Sequence, residues 1–346
     1  STITIHNFRF ENSSQYVYID GIASNRTTDS VTVKMNDLDL GFVTGLLQMK
    51  TLTFGGFATG KANFYSLLKQ TYFEAALKID DFEINDVNIA NADVDAKWNS
   101  EKQEIQLNGK FLQKNDSIVA TVSGVYVPKT DSLDLNINAK SIKVDFLKPY
   151  FDGIVSNFKG TGSGKLRLYG PTTFLLFDGN LFMNYAQFTL DVTKTTYHFS
   201  DSIKMKPESI ILKNITLYDE ENNKATANGV VSHDGVFQNL TYGLSLRGRN
   251  FMALNTTAKD NEFFYGKAYV SGSIDIDGDE KETNVNVNAV TQPRTKCYFQ
   301  MDGESTVTEK TLFNFINTGK ETQKNYQTFI PEETPEVNVK VDMLID

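Results

Sequence analysis

The sequence predicts an all-β protein: an elongated, repetitive antiparallel sheet with one or a few short helices. Three observations lead there. Apolar residues recur with period two. Gly-, Asp- and Asn-containing turn signals divide the chain into short segments. Landmark residues repeat at intervals of 103 to 106 positions.

Taken in chain order, the elements begin with STITI at Ser1, which alternates like a strand. YIDG (Tyr18–Gly21) and DDFEIND (Asp80–Asp86) read as turns. Leu133, Leu135, Ile137 and Ala139 then alternate with Asp134, Asn136 and Asn138. SHDG (Ser232–Gly235) and DIDGDE (Asp275–Glu280) are the next turn signals. After them Val285, Val287 and Ala289 alternate with Asn284, Asn286 and Asn288. One stretch has helical character, TEKTLFNFIN at Thr308–Asn317. Thr308 can cap it, Glu309 suits its positive end, and Leu312, Phe315 and Ile316 share a face. The last element alternates Val337, Val339, Val341, Met343 and Ile345 with Asn338, Lys340 and Asp342. Each alternating run puts apolar groups on one face and Asn, Asp or Lys on the other, as antiparallel strands with one buried face do.

The repeat is visible in three windows: YIDGIASNRTTDSVTVKMNDLDLGF, TVSGVYVPKTDSLDLNINAKSIKVDF and TANGVVSHDGVFQNLTYGLSLRGRNF. Gly21, Gly124 and Gly229 are equivalent, as are Phe42, Phe146 and Phe251, and Gly56, Gly160 and Gly266. One continuous body is expected over residues 1–346, with units at about 1–37 (the tail of a unit), 38–141, 142–247 and 248–346 (partial). The unit length leaves room for eight or nine strands of ordinary size.

Composition narrows the function. The 346 residues carry a net charge of −9 and no dense Lys/Arg cluster, which argues against nucleic acid as a partner. A single cysteine, Cys297, rules out an intramolecular disulfide and a cysteine-rich zinc site. No run of about 18 apolar residues is present. The chain starts and stops inside strand patterns, as a piece cut from a longer protein would.

Several motifs imitate chemical sites. FKGTGSGKLRLYG (Phe158–Gly170) looks like a phosphate loop, but only three residues separate Gly160 from Gly164, and Leu166 follows Lys165 where Ser or Thr is required. Its counterparts at Gly56 and Gly266 point to a strand start, bulge or close backbone approach. DIDGDEKETNVN has Asp275, Asp277 and Asp279 in calcium-loop positions, yet Gly278 falls at position 4 and Asn286 replaces the final Glu. His6, His198 and His233 are scattered, and the Asp80–Asp81 pair reads as a solvated turn. Cys297 and Trp98 read as packing residues. No catalytic residue, metal ligand or cofactor is expected.

What remains is the apolar face, which covers either a second layer or an apolar channel. The run from Phe158 to about Asn317 resembles the TamB family, a translocation and assembly subunit of diderm envelopes. The resemblance rests on G-x-G-x-L before YGP, FDGNLFMNYAQFTL before Tyr197, and SIILKNITLYD with its Asp219. KATANGVVSHDG, FYGKAYVSGSIDIDG and ESTVTEKTLFNFIN complete it. The resemblance implies a curled, taco-like β-groove in the periplasm, in a full-length protein anchored in the inner membrane by an N-terminal helix. It implies phospholipid as cargo, an Omp85-type barrel (TamA-like) as partner, and kinship with AsmA-like and bridge-like lipid transfer proteins. It also implies that this chain is an interior segment near the C-terminal end.

Three functions follow as expectations. The first is a lipid conduit lined by Leu133, Leu135, Ile137, Leu166, Leu168, Val285, Val287, Val339 and Val341. The second is a non-enzymatic scaffold or chaperone for outer-membrane protein assembly or autotransporter secretion, pairing through open sheet edges. The third is an extracellular adhesin or glycan-binding module with a closed core.

Overall fold

The computed structural model describes residues 1–12, 14–41, 53–69, 71–84, 86–113, 115–145, 148, 155–234, 238–261, 264–279, 282–299 and the backbone of 336–344. The expected helix at Thr308–Asn317, the ESTVTEKTLFNFIN stretch, Phe42 and Phe146 lie outside these residues. The all-β expectation holds: among the described residues, nineteen strands belong to one hydrogen-bonded sheet.

The chain clusters into two compact units. The first comprises Ser1–Phe151, Phe158–Asn184 and Lys204–Pro207. It holds β1 (Thr2–Asn12), β2 (Gln15–Ser24), β3 (Ser30–Asp39), β4 (Phe54–Tyr65) and β5 (Tyr72–Ile84). It continues with β6 (Val87–Asn99), β7 (Glu104–Leu112), β8 (Ile118–Val127), β9 (Ser132–Lys143) and most of β10 (Val155–Pro171). Each strand from β1 to β10 pairs antiparallel with the next. β11 (Leu176–Leu190) and β12 (Thr195–Lys206) contribute residues to both units.

The second unit comprises Asp152–Asn157, Tyr185–Ile203 and Glu208–Asp346. It holds β13 (Ser209–Asp219), β14 (Lys224–Asp234), β15 (Gln238–Thr256), β16 (Phe264–Asp279), β17 (Glu282–Thr291), β18 (Lys296–Phe299) and β19 (Glu336–Leu344). β13 to β17 form consecutive antiparallel pairs, and β18 pairs with the start of β16. One pairing departs from the antiparallel expectation: β19 lies parallel to β17. Thirty-six residues separate β18 from β19, ample for the crossover that a parallel pair needs.

Equivalent landmarks fall six strands apart. Gly21, Gly124 and Gly229 sit on β2, β8 and β14; Gly56, Gly160 and Gly266 sit on β4, β10 and β16. One period therefore carries six strands, not eight or nine. The strands are long: β10, β15 and β16 have 17, 19 and 16 residues, against about five or six in an ordinary strand. A Cβ added at Gly124 would meet the Asp134 carbonyl oxygen at 2.0 Å, and at Gly21 and Gly229 a carbonyl of the next strand stands as close as 2.1 and 2.4 Å. The repeated glycine lets two backbones approach.

FKGTGSGKLRLYG lies inside β10. The ladder to β9 shifts between Gly162 and Gly164, and Gly164 has φ +149° with the Asn180 carbonyl 2.2 Å from where a Cβ would stand. The glycines thus serve a bulge and a close approach within a strand, not a strand-to-helix phosphate loop. Of the expected turns, YIDG lies wholly in β2, whereas DDFEIND and DIDGDE begin as strand, in β5 and β16, and end at the connections to β6 and β17. Asp275 and Asp277 pair with Asn286 and Asn284 across the β16–β17 ladder, so they belong to the polar face of a hairpin.

Asp80–Asp81 exemplifies a recurring device. In β1, β3, β5, β13 and β15 two residues oppose one on the next strand, and the second has a left-handed backbone: Asn7, Asp37, Asp81, Asn214 and Asn250, with φ of 48–53°. Each time its freed N–H donates to the side chain of the opposed residue. The acceptors are Asp20 Oδ1 (3.1 Å), Thr59 Oγ1 (3.0 Å), Asn91 Oδ1 (3.0 Å), Asn228 Oδ1 (2.8 Å) and Ser271 Oγ (3.0 Å). Tyr185 of β11 shares the left-handed backbone, with φ 49°, and its N–H donates to Ser200 Oγ at 2.9 Å. Asn and Asp tolerate the left-handed region best among residues with a side chain. The captured N–H satisfies a donor that the bulge takes out of the ladder, and the bulge fixes register and increases local twist.

Candidate functional site

Antiparallel register carries the apolar face sideways from strand to strand. In the first unit one row runs Phe10, Val17, Met35, Gly60, Leu77, Val94, Gly109, Val122, Ile137, Leu166, one residue from each of ten strands. The adjacent row begins at Phe8 and Ile19 and ends at Leu107, Gly124, Leu135 and Leu168. The other face is polar: Arg167, Asn136, Ser123, Asn108 and Asp95 are successive partners. Arg167 binds Asp134 through two hydrogen bonds of 2.8 Å, and that guanidinium holds the Asp134 carboxyl below its usual range.

Burial differs from that of an ordinary core. Leu133, Leu135, Ile137 and Leu166 are only half-buried, as are Leu77, Val94, Leu107 and Val122. Leu168 is 8 % exposed, whereas Phe8 and Phe10 are 56 % and 72 % exposed. The fully buried groups form small clusters along the sheet: Ala58, Ile79 and Ala92 touch Met35 and Phe111, and Ile89, Ala90 and Val119 touch Phe82 and Ile142. These partners come from laterally neighbouring strands. The packing spreads within the layer, and the apolar side chains keep part of their surface free.

The nine sequence-predicted residues fall into two sets. Leu166 faces Ile137, Leu168 faces Leu135, and Gly170 faces Leu133, all in the first unit. In the second unit Val285 lies between Ile276 and Val339, and Val287 between Ile274 and Val341. Val285 and Val287 are half-buried; for Val339 and Val341 the backbone position alone is described. The lateral partners on β2–β8 were missed, because register between strands far apart in sequence is not written in any local pattern.

The second unit also has a deep core. Ile215, Leu217, Ala225, Phe251 and Met252 are buried. Asp219 is completely buried and accepts from the N–H groups of Glu221 (2.9 Å), Asn223 (2.8 Å) and Met252 (2.9 Å) and from Asn223 Nδ2 (2.9 Å). Tyr197 stacks on Phe251 at 4.9 Å and donates its hydroxyl to the Met252 carbonyl at 2.8 Å. Asp219 and Tyr197, noted in the resemblance, therefore bind the same strand residue from β13 and β12. Burial drives the Tyr197 hydroxyl pKa far upward. Burial, with the Glu221 carboxylate beside it, pushes the Tyr269 phenol up to about 12. Burial also raises the Cys297 thiol, which makes it a poorer nucleophile. Each of these shifts moves its group away from neutrality. Such groups hold structure and are not tuned for proton transfer near pH 7.

Residues 213–346 match the family model of the TamB C-terminal domain. Phe158–Leu212, on which the sequence resemblance also rests, lies outside that match. No curated protein and no solved structure matches the chain.

Proposed function

Taking the TamB match over residues 213–346 as the premise, we propose that the chain is an envelope segment that shelters phospholipid acyl chains on its apolar sheet face for transport between inner and outer membranes. The observation that supports this most is the row across ten strands, in which only Gly60 and Gly109 interrupt the apolar side chains, half-buried from Val17 to Leu166 with Phe10 exposed. A contiguous exposed apolar surface of that kind marks a binding surface more often than a solvated one. An acyl chain laid along it gains about 0.8 kcal/mol per buried methylene. Movement along the face needs contacts that are weak, repeated and alike, which aliphatic rows supply; a headgroup stays in water.

In this reading Leu133, Leu135, Ile137, Leu166, Leu168, Val285, Val287, Val339 and Val341 line a groove formed as the sheet curls. The chain works without an enzymatic step in the periplasm, within a longer protein held by an inner-membrane anchor and joined to an Omp85-type, TamA-like barrel. Native mass spectrometry of the purified chain tests it: phospholipid adducts are expected, and they are lost in Leu135→Asp and Val287→Arg. Full lipid binding in both folded variants would refute the lining.

A further inference from the structure

The polar face of the second unit carries a second feature. A shallow concavity of about 1020 Å³ opens over β13–β17. Its floor includes Gly248 and Gly272, which face each other across β15 and β16. Arg247 and Arg249 flank it from β15, and Lys224 from β14. Thr226, Ser271 and Ser273 supply hydroxyls.

The charge balance here is opposite to that of the protein. The chain has a net charge of −9, yet three cations and no carboxylate line this concavity. Asp275 follows two residues beyond Ser273 on β16 but is not part of the lining. Among the described residues none of the three cations forms an ion pair; Lys224 lies over the Tyr218 ring at 5.4 Å. Arg247 is exposed beside Thr226 and Ser273 in the polar row, while Leu246 belongs to the apolar row behind it. Arg249, also exposed, is the first residue of the β15 bulge, whose second residue, Asn250, donates its N–H to Ser271 Oγ at 3.0 Å. Two guanidinium forks two residues apart, with hydroxyl donors between strands, match a tetrahedral oxyanion.

We infer that this concavity is a phosphate-ester site on the face opposite the apolar rows of the second unit. Its ligand is a phosphomonoester or phosphodiester, bound by Arg247 and Arg249 with Lys224 adding charge. The site is independent of lipid on the apolar face and stands if that reading fails.

The test is titration calorimetry of the chain with inorganic phosphate, alongside flotation on phosphatidylglycerol and on phosphatidylcholine vesicles. Wild type is compared with R247Q/R249Q, with R249K and with Lys165→Gln, a cation on the polar face of the first unit. Phosphate binding is expected to weaken about tenfold or more in the double glutamine variant. It should weaken less in R249K and stay unchanged in Lys165→Gln. Flotation on phosphatidylglycerol alone, lost with the two arginines, identifies the source as a lipid headgroup; phosphate binding without flotation identifies a soluble phosphate ester. Absence of phosphate binding in the wild type overturns the inference. So does equal binding in the double variant with an unchanged melting curve, and so does equal loss in Lys165→Gln.

Discussion

The apolar face of β5–β10 and the core around Asp219 are built from the same kind of long strand, yet they use it in opposite ways. In the first, Leu77, Val94, Leu107, Val122, Ile137 and Leu166 keep part of their surface free. In the second, Phe251, Met252 and Tyr197 are buried, and a completely buried carboxylate ties the turn after β13 to strand β15. Both regions carry bulges; the layer becomes a core where the end of a strand folds back on earlier ones. Asn255 N–H donates to the Thr193 carbonyl at 2.9 Å, and Tyr197 reaches Met252, so the end of β15 contacts β12 and its preceding turn past two intervening strands. Stability is expected to concentrate there, and binding capacity in the half-buried face of β5–β10.

The contrast can be broken most sharply at the core. Phe251→Ala should cost about 3–5 kcal/mol, because it empties a closed site and removes the ring on which Tyr197 stacks. Hydrogen exchange should accelerate in β12–β15 and remain unchanged in β5–β9; equal acceleration in both would merge the two regions. Asp219→Ala follows at about 2–4 kcal/mol, since it strands the buried Met252 N–H and loosens the Asp219–Lys224 turn.

In the ladder the same kind of truncation should be mild. Leu135→Ala is expected to cost about 1 kcal/mol in chemical denaturation, because the side chain is half-exposed and leaves no closed cavity. A loss as large as that of Phe251→Ala would mean that the face is an ordinary core. Asn228→Ala removes the acceptor that captures the Asn214 N–H and should cost about 0.5–1 kcal/mol. Amide protection should fall at Asn214 itself while the rest of β13 keeps its own.

The smallest effect concerns acid. The Asp134 carboxyl is held below its usual range by hydrogen bonds from Arg167. Its folded pKa lies below the unfolded one. The pair's contribution is therefore complete above the unfolded carboxylate pKa of about 3.9 and vanishes as pH falls through the folded value. The pair is exposed on the polar face, so screening keeps it under about 1 kcal/mol. Asp134→Asn should lower stability slightly at pH 7, and the difference should shrink as pH falls below about 3.9, as denaturation midpoints along that range would reveal.

Much of the architecture was legible because period two is a local property. LDLNINA, NVNVNAV and VNVKVDM each declare a strand and its two faces, and they are β9, β17 and β19. The repeated glycines were legible as architecture because three copies share one spacing. Bulges were not. IHNF, MNDL, IDDF, LKNI and GRNF share a polar residue and then Asn or Asp between the residues that flank each bulge, but Asn and Asp also begin turns, and Asp80–Asp81 was read that way. The Asp219 core was equally hidden, since its partner Met252 is 33 residues away. The candidate face was visible as isolated pairs of strands; the row across β1–β10 depends on long-range register, which alternation alone does not encode.

The most direct test of the proposal that the apolar face shelters lipid uses its periodicity. A photoreactive side chain placed in turn at positions 133 to 138 of β9, in cells or with lipid vesicles, reports what lies against each face. Acyl-chain crosslinks are expected at 133, 135 and 137, with little at 134, 136 and 138. Crosslinks without that alternation, or crosslinks to protein alone at the odd positions, would contradict the account.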